Sequence, residues 1–339
     1  MAEPHSFSPF NAALSLMSHV SLSPLIAALV RRGVPDRLDK GPLAVTDLAR
    51  LAEFDTLALT RAIRALAAFG AFQEVSPGVI ANNSVSELFR NRPGGLRNCA
   101  LFYGSEHYLR SAAALGQSVA TGQSATTHIF GESVWEHFRK HPEEGETFNL
   151  ALAELRGDEH QQIANAYDWA GVKTLVDVGG GVGSLLAAVL ERQQAAHGVL
   201  IEQPTVLPDA DQVLTRRGVR ERCELVAGNF FNQLPSVGDV WAMCQVLHDW
   251  PDAECCAILK CCRTAMRPSD RLLVMEMLTI PCQPSVPVAL VDMTMLMYFG
   301  EARQRTVDEY KKLFDSTGFA IGRVLPTTGP FSIVEARPV

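Results

Sequence analysis

Long apolar runs are missing from this sequence: nothing in it approaches the roughly 18 residues that a membrane-spanning helix requires. The first ten residues, Met1 to Phe10, lack both the basic region and the apolar core of a secretory leader, which leaves the cytoplasm as the expected location. Positive charge is not in excess. With 30 Lys and Arg against 37 Asp and Glu, the formal net charge is -7, and the chain as a whole offers no attraction to nucleic acid or anionic lipid. Cys-x-x-Cys spacing is missing too, although four of the 8 cysteines, Cys255, Cys256, Cys261 and Cys262, crowd one stretch that reads as a helix. A structural zinc or redox site presents its thiolates at tight-turn spacing. These cysteines are therefore expected to pack as small, reduced, apolar side chains, and no metal is expected. Internal repeats and low-complexity tracts are absent, and the one loose stretch is the proline-rich Pro281 to Pro287, expected to border a site.

What is present is ordinary globular material. The 339 residues are 47% hydrophobic and 20% charged, enough for two domains. Apolar residues recur at helical spacing from about Ser15 to Leu38, and Gly41-Pro42 then breaks the pattern. A helix over Asp47 to Glu53 and a second, opened by Asp55 and continuing through Ile63, Leu66 and Phe69, make a helix-turn-helix. Two short strands, Ala71 to Val75 and Val79 to Ala81, joined by the turn Ser76-Pro77-Gly78, complete a winged helix. DNA readers of that shape draw most of their affinity from a basic face. Here Arg50, Arg61 and Arg64 are offset by Asp47, Glu53 and Asp55, so DNA binding is disfavoured.

Several helices follow between Arg97 and Tyr167, carrying aromatic residues that could be core or the walls of a site for a planar ligand. After Lys173 strands and helices alternate, which predicts a parallel sheet with crossover helices. The strands read are Thr174 to Val178, Gly198 to Ile201, Glu224 to Ala227, Val240 to Val246, Leu272 to Met277, Ala320 to Val324 and Ser332 to Glu335. The expected fold class is α/β: a Rossmann-like, doubly wound domain over 169–339, preceded by a helical, winged-helix domain over 1–100 and a helical segment over 101–168.

Thr174 to Ser184, TLVDVGGGVGS, is an apolar strand running through four glycines into a helix. Such a turn lets a ligand touch backbone amides at the helix start. Ser184 stands where the third glycine of the dinucleotide fingerprint belongs. The second strand ends in Glu202, placed to accept both ribose hydroxyls of a nucleoside cofactor, and at this point NAD and S-adenosylmethionine fit equally.

Downstream the motifs become specific. Val176-Asp-Val-Gly-Gly-Gly-Val-Gly183, Gly228-Asn-Phe-Phe231, Val246-Leu-His-Asp-Trp250, Met275-Glu276 and Arg305-Thr306 occur in that order. This run resembles the dimeric small-molecule O-methyltransferases, the plant caffeate-type enzymes and their bacterial relatives that act on polyketides, naphthoates and phenazines. The resemblance implies S-adenosylmethionine as methyl donor, S-adenosylhomocysteine as product, no metal, a small aromatic hydroxyl-bearing acceptor from secondary metabolism, and a homodimer formed through the N-terminal domain.

By the same resemblance His248 is the base and Glu276 the carboxylate that orients it. Asp249 lies near the substrate or the histidine backbone, or else caps the following helix; Trp250 lies near adenine or packs as core. Gly179, Gly181, Gly183, Glu202, Gly228, Asn229 and Phe230 fall on cofactor-binding positions. This chain departs from the family at three positions. Asn229 stands for an aspartate and keeps an acceptor oxygen for the adenine amine, Cys244 for a cofactor-contacting lysine, and Gln304 for a second histidine-flanking glutamate. Phe148, Leu152 and Met295 match acceptor-pocket positions, and Phe102 and Tyr103 are added from composition. A phenol of pKa about 10 facing a histidine of about 6.5 makes full proton transfer uphill by roughly 5 kcal/mol, so deprotonation concerted with attack is expected. Two alternatives remain: N-methylation on the same fold, and a winged-helix ligand-sensing regulator.

Overall fold

A computed structural model describes residues 8–339; residues 1–7, the head of the expected first domain, lie outside the described residues. The chain divides into two compact units, Met1–Ala113 with Val134–Gly157, and Ala114–Ser133 with Asp158–Val339. The helical segment 101–168 is shared between them.

In the first unit the periodic stretch around 15–38 forms helices Pro9–Ser18, Leu22–Arg31 and Val34–Arg37, separated at Gly33 by a left-handed residue (φ 66°). The helix-turn-helix is Val45–Ala52 and Thr56–Ala68, the second opened by the Asp55 carboxylate accepting the Ala58 amide at 2.8 Å. Its core is Leu48, Leu59, Ile63, Leu66, Phe72 and Ile80. The wing contains one strand that the pattern does not reveal, β1 (Leu43–Ala44), which pairs with β3 (Val79–Ala81), itself paired with β2 (Gln73–Ser76). Two residues are too few to show alternation. Its arginines are engaged by acids: Arg50 with Asp47 (3.2 Å), Arg64 with Glu74 (3.1 Å) and Arg32 with Glu53.

In the second unit, among the described residues, seven strands form one sheet: β4 (Thr174–Val178), β5 (His197–Glu202), β6 (Cys223–Ala227), β7 (Val240–Cys244), β8 (Arg271–Met277), β9 (Phe319–Pro326) and β10 (Phe331–Pro338). Their order is β6-β5-β4-β7-β8-β10-β9. The parallel sheet read from the sequence holds from β4 to β8, whereas β10 runs antiparallel to both β8 and β9. Hydrophobic periodicity is blind to strand direction, and the short link from β9 to β10 is a hairpin connection rather than a crossover. Period-two alternation sends Leu175, Leu200, Ala242 and Leu273 into one core, and Val176, Val199, Trp241 and Val274 into another on the opposite face. Helix Asp252–Ala265 covers the second face and buries Cys255 and Cys262 there. Among the described residues no cysteine is in a disulfide, no helix is long and apolar enough to cross a membrane, and no three His, Cys, Asp or Glu are grouped as a metal would require.

Candidate active site

The chain proceeds from β4 outward to β5 and β6, then returns to the other side of β4 for β7 and β8. The crevice of such a sheet opens beyond the carboxyl ends of the strands where the order reverses, here between β4 and β7. Four groups sit at those ends: the glycine turn after β4, Glu202 at the end of β5, His248 after β7 and Glu276 in β8; Arg305-Thr306 instead precedes the helix Val307–Asp315.

The glycine turn needs its glycines for two separate reasons. At Gly180 a Cβ would stand 2.3 Å from the carboxylate of the buried Asp177, which leaves no room for a larger residue. At Gly181, left-handed at φ 56°, a Cβ would meet nothing within 4 Å; the turn is open there. The Gly181 amide donates to Glu202 Oε2 at 3.0 Å, and the Gln203 amide to Oε1 at 2.7 Å, which fixes the carboxylate against the turn. Gly228 donates its amide to the Glu202 carbonyl (3.0 Å). Asn229 Oδ1 accepts the Phe231 amide at 3.0 Å and so shapes its own turn. The Phe230 ring lies beside Gly179 and meets Trp250 edge-on at 6.0 Å, while Phe231 meets Trp250 at 4.8 Å. Cys244 ends β7, half-buried and packed against the first core.

Past β7 the chain passes through Gln245, left-handed at φ 55°, into a single turn of 3-10 helix, Leu247–Asp249. His248 is 8% exposed. Its Nδ1 lies 2.7 Å from Gln304 Nε2 and 3.6 Å from Glu276 Oε2, and its Nε2 lies 3.2 Å from Asp249 Oδ1. Gln304 is thus the nearer neighbour of the ring. The other Glu276 oxygen, Oε1, accepts the amides of Val246 (3.1 Å), Leu247 (3.0 Å) and His248 (3.3 Å). Burial raises the Glu276 carboxyl above the usual carboxylate range, against the pull of His248. Asp249 does not open the next helix: Asp252–Ala265 has Pro251 at its N-cap and no side-chain cap bond.

The residues expected at acceptor-pocket positions are divided between the two units. Phe102, Tyr103 and Phe148 belong to the first, where the Phe102 ring lies 5.4 Å from Tyr103 and 5.3 Å from Phe148, and Phe138 stacks on Phe148 at 4.8 Å. Burial pushes the Tyr103 phenol up to about 12. Leu152 is half-buried on the same helix as Phe148, Pro142–Arg156. Met295, buried on helix Val286–Phe299, belongs to the second unit.

Residues 113–320 match the family model described as the O-methyltransferase domain. The chain belongs to this family. The methyltransferase is 37% identical over 308 residues to phenazine O-methyltransferase of Lysobacter antibioticus, covering 91% of this chain and 90% of that protein. Its fold superposes on the structure of mitomycin 7-O-methyltransferase with a TM-score of 0.89 at 34% identity, covering 97% of each chain. It also superposes, with a TM-score of 0.81 at 27% identity, on an O-methyltransferase of neocarzinostatin biosynthesis solved with S-adenosylmethionine and 2-hydroxy-5-methyl naphthoic acid, covering 98% of this chain and 100% of that one.

The methyltransferase is S-adenosylmethionine-dependent, and its turn fits that cofactor. Space is open over Gly181, a carboxylate closes β5 against the turn, and behind the turn lies the fully buried Asp177 carboxyl. Burial, reinforced by Glu202, pushes Asp177 up to about 7. Two residues to which the sequence assigned no role complete the histidine turn. Arg305, fully buried, donates to the carbonyls of Leu247 (2.8 Å) and Trp250 (2.7 Å), and the Cys255 thiol reaches the same two carbonyls at 3.2 and 3.3 Å. Arg305 stands in the motif run, but spacing does not show what an arginine touches.

Proposed function

We propose that the methyltransferase methylates a hydroxyl of a small, flat aromatic natural product in the cytoplasm, with His248 taking the acceptor's proton. The observation that carries this reading is an imidazole buried at the mouth of the sheet crevice, bracketed on both ring nitrogens, in the turn just past β7, the strand beside β4. Phenazine, mitomycin and naphthoate relatives support an aromatic acceptor. Bound S-adenosylmethionine supplies a methyl carbon already activated by its sulfonium, so the protein has only to align and deprotonate.

For Nε2 to accept a proton, Nδ1 must carry one. As placed, the Gln304 amide presents its NH₂ to Nδ1, and its buried Oε1 has no partner among the described residues. Turning the amide over brings Oε1 against an Nδ1–H and leaves the lone pair on Nε2. Asp249 then faces the proton that arrives, and Glu276, 3.6 Å away, supports the imidazolium through its charge rather than through a hydrogen bond. The test is turnover with labelled cofactor on a panel of phenols, naphthoates, hydroxyphenazines and polyketides. An O-methyl product from at least one flat hydroxylated ring is the expected result; N-methyl products alone, or none, overturn the reading.

We also propose a homodimer through the first unit. Phe10, Leu14, Leu16, Met17 and Val20 expose between 50% and 81% of their surface along its first helix and the turn that follows. Single exposed apolar side chains are ordinary, but five in succession form an uncovered face. The double substitution Leu14→Glu, Met17→Glu is expected to halve the mass measured by sedimentation; an unchanged dimer, or a wild-type monomer, counts against the proposal.

A further inference from the structure

The turn Val246–Trp250 lies between two fully buried side chains, the Glu276 carboxyl and the Arg305 guanidinium. On one side Glu276 Oε1 gathers the amides of Val246, Leu247 and His248, a small anion nest built from consecutive N–H groups. On the other, Arg305 Nη1 and Nη2 donate to the carbonyls of Leu247 and Trp250, while Nε (3.0 Å) and Nη2 (2.8 Å) also hold Asp252 Oδ1. One peptide, Leu247–His248, is held at both ends, its carbonyl by Arg305 and its N–H by Glu276. Asp252 is in turn held at Oδ2 by Arg303 (2.9 Å), and these arginines keep its carboxyl below the usual range although burial works against them. The whole clamp closes around the turn that carries His248.

We propose that Arg305 is a positioning residue for the reaction: it fixes the carbonyls of the His248 turn while Glu276 fixes its amides, and the imidazole stands where it does because both are present. This rests on His248 being the base. A guanidinium suits the task because its planar fork spans two carbonyls and a carboxylate at once, which a lysine ammonium cannot do. An error of about 1 Å in the placement of a catalytic group costs on the order of 10²-fold in rate.

The test compares R305M, R305K, H248A and the double variant R305M/H248A. It measures kcat, acceptor KM, cofactor Kd and hydrogen exchange of the amides of residues 246–250. For R305M we expect a kcat about thirtyfold lower, with KM and Kd within about threefold, and exchange of the turn at least about tenfold faster. Added to H248A, the change costs nothing further, because both act on one group. R305K keeps the charge and loses the fork; its expected loss is about tenfold, and it supplies the readings if R305M does not fold. A kcat within threefold of the parent in both variants, or a full further loss on top of H248A, overturns the proposal and leaves the base reading intact. Should H248A itself turn over normally, the base reading fails, and exchange decides for Arg305: faster exchange of the turn sustains its positioning role, and unchanged exchange ends it.

Discussion

His248→Ala is expected to lower kcat by about 10² to 10⁴-fold, the range that a positioned general base contributes. The change leaves the glycine turn, Glu202 and Phe230 untouched, so cofactor Kd measured by calorimetry should remain within about threefold of the parent. It removes a ring that is nearly buried between Gln304 and Asp249, and the cavity it leaves costs stability on the order of 1–3 kcal/mol. Turnover is therefore to be measured well below the melting temperature, on material whose circular dichroism matches the parent. A residual rate near that of the parent at neutral pH would mean that alignment alone suffices and that the acceptor sheds its proton elsewhere. Restoration of part of the lost rate by free imidazole would identify the missing function as proton removal.

Glu202→Ala should act on the other half of the reaction. Its carboxylate is anchored by the Gly181 and Gln203 amides, one on each oxygen, which leaves a lone pair on each for the two ribose hydroxyls. Hydrogen bonds to a charged group contribute about 1.5–3 kcal/mol each, and after partial replacement by water the loss of two is expected to total about 3 kcal/mol. That corresponds to roughly 10²-fold in Kd. The loss belongs to binding rather than to the chemical step, so kcat at saturating cofactor should fall much less than kcat/KM. Equal affinities for parent and variant, read by calorimetry with S-adenosylhomocysteine, would place the ribose elsewhere.

Much of this was legible in the residues because it depends on local chemistry. The glycine turn, the acid closing β5 and the alternation that builds two cores are each written within a few positions. The helix-turn-helix could be read from its Asp55 cap and its periodicity. What escaped was non-local. The reversed direction of β10 leaves no mark on its apolar pattern, and β1 is too short to show one. The loss of a glutamate at position 304 suggested a weaker histidine setting, yet the amide that replaces it is the ring's nearest neighbour. In sequence Arg305 is one member of the motif run and Cys255 a filler thiol, and their role as donors to the Leu247 and Trp250 carbonyls exists only after the chain has folded.

The reversed strand has a consequence for the order in which the enzyme comes to exist. Because β10 pairs Ser332 with Glu276 and Ile333 with Met275, the strand that holds Glu276 stays an open edge until Phe331–Pro338 has been made. During synthesis this sheet is therefore left with its reactive border unzipped, exposed to pairing with other nascent chains and dependent on whatever shields such borders in the cell.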